Sequence, residues 1–151
     1  MAEGADASVS VFTHVVLTCP TGETTRCYEE QLAGLGLPCR TLVVSDPHGA
    51  RVGSGGGLLN ALDALDARIG RAALATARVL VVHSGGDSRR APLHTVCGKA
   101  WATINTSPLS SPVELIVREI SHLCRTGSGS GTCGVNAALR DGAVVVASSD
   151  V

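Results

Sequence analysis

A parallel α/β sheet is the fold class this chain predicts, and three observations predict it. Short, β-branched apolar runs recur along the sequence; a segment with helical spacing follows each of the first three; and glycine-rich or charged stretches lie beyond the ends of the runs. Apolar runs that alternate with helical periodicity are the pattern of strands covered on both faces by crossover helices. In such sheets ligands bind beyond the carboxyl ends of the strands, so the loops that follow the runs are where chemistry is expected.

The first strand is residues 11–17 (VFTHVVL), closed by the turn sequence CPTG. Residues 24–35 follow as a helix, with Thr24 or Thr25 as its cap and Tyr28, Leu32 and Leu35 on one face. Residues 39–45 (CRTLVVS) repeat the strand signal, and DPHGARVGSGGG reads as a loop. A helix over 58–71 then places Leu58, Leu62, Leu65 and Ile69 at helical spacing, with Asp63, Asp66 and Arg68 on other faces. The third strand, 77–83 (ARVLVVH), runs directly into SGGDSRR. WATINT is a candidate short strand, and residues 112–125 form a helix with proline in its first turn and arginine in its last. Residues 126–134 (TGSGSGTCG) have the composition of a flexible surface insertion, and 143–147 is the last strand before SSDV.

Composition narrows the function classes. A chain of 151 residues, 44% hydrophobic, suffices for one domain with a core. A net charge of −1 removes the field that draws proteins to nucleic acid or anionic membrane, so any anion is bound locally. With Phe12, Tyr28 and Trp101 as the entire aromatic complement, there is no base-stacking platform either. Six cysteines without a CxxC pair or zinc spacing predict reduced thiols, and no segment has the length of a membrane span. The expectation is a cytoplasmic protein without nucleic-acid or membrane partners.

Two glycine clusters carry the chemistry. Gly85 and Gly86 let backbone N–H groups approach a phosphate closely; Ser88 and the forked donors of Arg89 and Arg90 follow, and Lys99 adds a point charge. The plain alternative is a strand-to-helix turn with solvated arginines. Gly53, Ser54, Gly55, Gly56 and Gly57 precede a helix, whose N-terminus with their backbone donors would receive a phosphate or a base edge; the alternative is a loop needed only for close packing. No GK[ST] closes this cluster, which excludes a P-loop. His14, His48, His83, His94 and His122 show no metal spacing, and Ser84 and Ser88 have no evident base partner.

GGDSRRAPLHTVCGK resembles the signature loop of sugar nucleotidyltransferases, a GGxGxR stretch followed by proline and lysine. Ser88 stands where glycine is usual, the proline spacing is one residue short, and Gly98 replaces the common proline before Lys99. These departures point to one branch. Through VVLTCP with YEEQL, SDPHGARVGSGGGLLNAL, HSGGDSRRAP with GK, and VVVASSDV, nearly the whole chain resembles the pyrophosphorylase-like half of L-fucokinase/GDP-fucose pyrophosphorylase proteins.

That resemblance implies a Rossmann-like, three-layer sandwich with a mostly parallel sheet, incomplete within residues 1–151. It implies transfer of a nucleotidyl group from GTP, with ATP as the other candidate, to L-fucose 1-phosphate or a related sugar 1-phosphate. Arg90 and Lys99 would be catalytic; Gly53, Ser54, Gly55, Gly56, Gly85, Gly86, Ser88 and Arg89 would hold the nucleotide; Asp150 would bind Mg²⁺, with Asp87 as an alternative contact to metal or sugar. Because the chain stops one residue after Asp150, the expectation is the nucleotide-binding part of such an enzyme, inactive alone. Two other readings stay open: the N-terminal region of an ATP-dependent fucokinase without pyrophosphorylase activity, and a nonenzymatic nucleotide-binding or interaction fragment.

Overall fold

Alternating strands and helices assemble into one open parallel sheet in the computed structural model, which describes residues 11–84, 98–106, 109–126 and 139–149. The elements are β1 (His14–Cys19), α1 (Gly22–Gly34), β2 (Arg40–Ser45), α2 (Gly53–Ile69), α3 (Arg71–Leu74), β3 (Val79–His83), β4 (Asn105–Thr106), β5 (Leu109–Ser110), α4 (Pro112–Thr126) and β6 (Val144–Ser148). The sheet order is β2-β1-β3-β6, and every pairing in it is parallel. β4 and β5 form a separate antiparallel pair.

Burial explains why β1 and β3 read as continuous apolar runs. Both are interior strands, and successive side chains enter opposite layers. Val15, Leu17, Leu80 and Val82 join Tyr28 and Leu32 of α1 and Val113 and Val117 of α4 on one face. Val16, Val79 and Val81 meet Ala61 and Leu65 of α2 on the other. Three layers result, with helices on both sides of an open, all-parallel sheet, as a Rossmann-like fold requires. β6 is an edge strand: Val145 and Ala147 pack inward, while Val144 and Val146 are exposed.

Several element bounds differ from the sequence expectation, each for a local physical reason. GSGGG is not a loop before a helix; it is the first turns of α2, which starts at Gly53 rather than residue 58. Glycine is a poor helix former, so periodicity alone starts the helix at the first leucine. Packing decides otherwise, because a Cβ on Gly56 would lie 2.6 Å from the Val52 Cβ and one on Gly57 would lie 3.4 Å from the His83 ring. The same helix ends at Ile69, where Gly70 adopts φ 83°, ψ 153°, a conformation open to glycine, and Arg71 begins α3.

Thr24 and Thr25 are not caps. Thr21 occupies that position with extended backbone and no side-chain cap bond, while Thr24 Oγ1 donates to the Thr21 carbonyl at 2.9 Å. WATINT is a strand only at Asn105–Thr106, since Lys99–Trp101 is a 3₁₀ turn. The first strand reaches on to Cys19, and α4 runs through Thr126, which takes the first residue of the expected insertion into the helix. The rest of that insertion, 127–134, lies outside the described residues. None of the described helices is long and apolar enough to cross a membrane.

Candidate functional site

The chain leaves β1 outward to β2 and returns on the other side of β1 as β3, so the strand order reverses direction between β1 and β3. A crevice beyond the carboxyl ends of two such strands is the ordinary ligand position in an open α/β sheet. Four segments leave the sheet there, after Cys19, Ser45, His83 and Ser148.

Hydrogen bonds hold this edge together. The Ser84 amide donates to Thr18 Oγ1 at 3.4 Å, and Thr18 Oγ1 lies 3.2 Å from His83 Nδ1. The Thr18 hydroxyl thus joins the Ser84 amide and the His83 ring at the end of β3. The Ser149 amide and hydroxyl both donate to the His83 carbonyl, at 2.9 and 3.0 Å. On the β2 side, Asn60 Nδ2 donates to the Ser45 carbonyl at 2.9 Å and ties α2 to that strand. The Asp46 amide donates to the Cys19 carbonyl at 3.0 Å.

Burial pushes the His83 pKa below its ordinary value, and the Asp46 carboxylate opposes that push in part. His83 Nε2 and Ser84 Oγ are both buried without a hydrogen-bond partner among the described residues. Among the described residues no base is positioned on the Ser84 hydroxyl.

The site residues read from sequence fall into three groups. Gly53, Ser54, Gly55 and Gly56 form the start of α2, with the first three exposed and no side-chain cap on the helix. That start faces the edge just described, because Gly57 sits against the His83 ring. Lys99 opens the 3₁₀ turn. Gly85, Gly86, Asp87, Ser88, Arg89, Arg90 and Asp150 lie outside the described residues, but their points of departure do not: His83 pairs with Ser148 across β3 and β6. The segments carrying GGDSRR and Asp150 thus leave adjacent strands at the same edge. Among the described residues no group of three or more histidine, cysteine or acidic side chains is assembled for a metal.

Sequence reasoning missed the frame beneath this edge, made by Thr18, His83, Ser84 and Ser149. Its available signal is the pair His83–Ser84, polar residues placed directly at the end of a buried run. An uncapped helix start beside backbone and side-chain donors suits an anionic ligand such as a phosphate chain.

Comparisons with known proteins identify a family. A family model described as "Fucose pyrophosphorylase domain" matches residues 71–151, more than half of the chain. The chain is 30% identical over 105 residues to a mouse (Mus musculus) fucose-1-phosphate guanylyltransferase, covering 66% of this chain and 17% of that protein. Its human (Homo sapiens) counterpart is 31% identical over 105 residues, with the same 66% and 17% shares. An Arabidopsis thaliana bifunctional fucokinase/GDP-fucose pyrophosphorylase is 30% identical over 112 residues, covering 58% of this chain and 11% of that protein. The chain therefore spans under a fifth of the length of each of these relatives. No solved structure matches significantly.

Proposed function

The chain belongs to the fucose pyrophosphorylase family, and from that premise we propose that it is the nucleotide-binding part of a sugar-1-phosphate guanylyltransferase. The reaction is GTP plus L-fucose 1-phosphate to GDP-L-fucose plus pyrophosphate. One observation supports the reading: β3 and β6 end side by side in register, next to the glycine-rich start of α2, so the points from which GGDSRR and Asp150 depart share one edge with that helix start.

In this scheme an oxygen of the sugar phosphate attacks the α-phosphorus of GTP. A new P–O bond forms, the bond to the β-phosphate oxygen breaks, and pyrophosphate leaves with that electron pair. No covalent enzyme intermediate is needed, so the protein contributes position and charge. The N–H groups at the start of α2 and of Gly85 and Gly86 hold phosphate oxygens, and Arg89, Arg90 and Lys99 offset the negative charge that accumulates on the leaving group. The contact between His83 and Thr18 braces the end of β3, from which that segment departs.

Asp150 would hold Mg²⁺; it follows Ser149, which two bonds to the His83 carbonyl pin to β3. Asp46, beyond the end of β2, is a further carboxylate at the same edge. Bound there, the ion would supply charge neutralisation to the triphosphate. The name of the Arabidopsis relative joins a fucokinase to a GDP-fucose pyrophosphorylase, so ATP is the alternative nucleotide to compare with GTP.

Calorimetric titration of the chain with GTP and with ATP, each with Mg²⁺, tests the proposal. GTP is expected to bind more tightly. Arg90→Ala and Lys99→Ala should each weaken it by about 10- to 150-fold, the equivalent of one charge-assisted hydrogen bond of roughly 1.5–3 kcal/mol. Variants that bind GTP as the parent does would return GGDSRR to the status of a turn.

A further inference from the structure

A second cleft, of about 460 Å³, lies at the opposite, amino-terminal edge of the sheet. His14 and Arg40 open β1 and β2 and are register partners, so both stand at that edge. Arg68, in the last turn of α2, returns to the same edge because the helix runs back across the sheet. All three residues line the cleft, with Leu42, Leu65 and Ile69 as an apolar wall.

The two arginines differ from their neighbours. Arg71 is paired with Asp66 at 2.8 Å, and Arg78 with Asp141 at 3.9 Å. Arg40 and Arg68 have no ion pair among the described residues. His14 is only 9% exposed, and its Nδ1 lies 2.9 Å from Thr13 Oγ1. That hydroxyl donates to the Arg78 carbonyl at 3.1 Å and receives the Arg78 amide at 3.0 Å. Its proton is therefore committed, Nδ1–H is the donor to it, and Nε2 is left as a lone-pair nitrogen. Nε2 is buried with no partner among the described residues.

We propose that this cleft is a second, proton-linked oxyanion site, which takes the phosphate group of a small phosphorylated molecule between Arg40, Arg68 and the imidazolium of His14. Two guanidiniums without an ion pair, and a ring nitrogen that becomes a donor on protonation, form a donor set for an oxyanion. An oxyanion occupies only part of the volume, and the Leu42, Leu65 and Ile69 wall suits an organic body. In the empty cleft, burial, then the Arg40 and Arg68 charges, hold the His14 pKa below its ordinary value. A bound dianion offsets the arginines and accepts a hydrogen bond from Nε2–H once the ring has taken a proton from solvent, so binding is accompanied by proton uptake. The other charges near the ring's supporting residues are already paired, as Arg78 with Asp141 beyond Thr13 and Asp66 with Arg71 on the α2 side.

Sulfate is the first probe, because its charge is constant across the histidine range. Calorimetry on the full chain, in two buffers of different ionisation enthalpy, should show saturable binding with proton uptake that tightens as pH falls. Arg40→Gln and Arg68→Gln should each weaken binding about 10-fold or more. Both side chains are exposed, so these variants should keep the parent's thermal stability. His14→Asn keeps a donor for Thr13 and should abolish the linked proton uptake. Comparing glucose 6-phosphate with inorganic phosphate identifies the source: tighter binding of the ester assigns an esterified ligand, and equal binding assigns free oxyanion. Absence of saturable binding overturns the proposal, as does affinity indifferent to both arginine substitutions or proton uptake that persists in His14→Asn. Loss of sulfate binding in Arg90→Ala would place the anion in the nucleotide loop and overturn it equally.

Discussion

Gly55 and Gly56 are neighbours in one helix turn with opposite physical demands. A Cβ on Gly55 meets nothing within 4 Å, whereas one on Gly56 would lie 2.6 Å from the Val52 Cβ. Gly55→Ala should therefore raise stability by about 0.5–1 kcal/mol, the usual gain from restricting the unfolded chain and improving helix propensity. Gly56→Ala carries the same propensity gain against a backbone-adjacent clash, and a net loss of about 1–3 kcal/mol is expected. Urea denaturation of the two variants checks both signs, and equal effects would mean that Val52 yields freely. From sequence these glycines form one indistinct cluster. Only the position of Val52, and of the His83 ring beside Gly57, separates a residue that must be glycine from one that need not be.

At the scale of elements, α4 shows how much a sequence can announce. Ser111 precedes Pro112, and Glu114 stands three residues after Ser111, the order of a helix start with proline in the first position. The structure completes it, with the Glu114 amide donating to Ser111 Oγ at 3.3 Å. Ser111→Ala should cost about 1 kcal/mol and leave the sheet intact, measurable as a lowered denaturation midpoint with unchanged slope. The start of α2 is the contrary case. It carries no side-chain cap and opens on glycines, so neither a cap signal nor a propensity signal marks it. A helix start left open in this way keeps backbone donors available to a ligand, and the same openness hides it from pattern reading.

For the molecule as a whole, the two histidines at opposite edges of the sheet link stability to pH. Burial lowers the pKa of both His14 and His83. The unfolded chain takes up protons at the ordinary value of 6.5, while the folded chain resists until lower pH. Their stabilising contribution is thus complete above 6.5 and is lost as pH falls through the lowered values. Melting temperature should fall between about pH 7 and pH 5, and His14→Asn with His83→Gln should flatten that dependence; a flat parent profile would contradict it. What the sequence determined by itself is the alternation of strand and helix, the double-sided burial of the two central strands, and the family, through motifs such as DPHGARVGSGGGLLNAL. These are local patterns, since the face a side chain enters follows from a period of two or 3.6 residues. Tertiary structure alone decided that β3 lies between β1 and β6, that GSGGG is helical, and that His14, Arg40 and Arg68 share a cleft. Those facts rest on contacts between segments far apart in the chain, where packing of whole layers selects one arrangement, and no short window of sequence contains them.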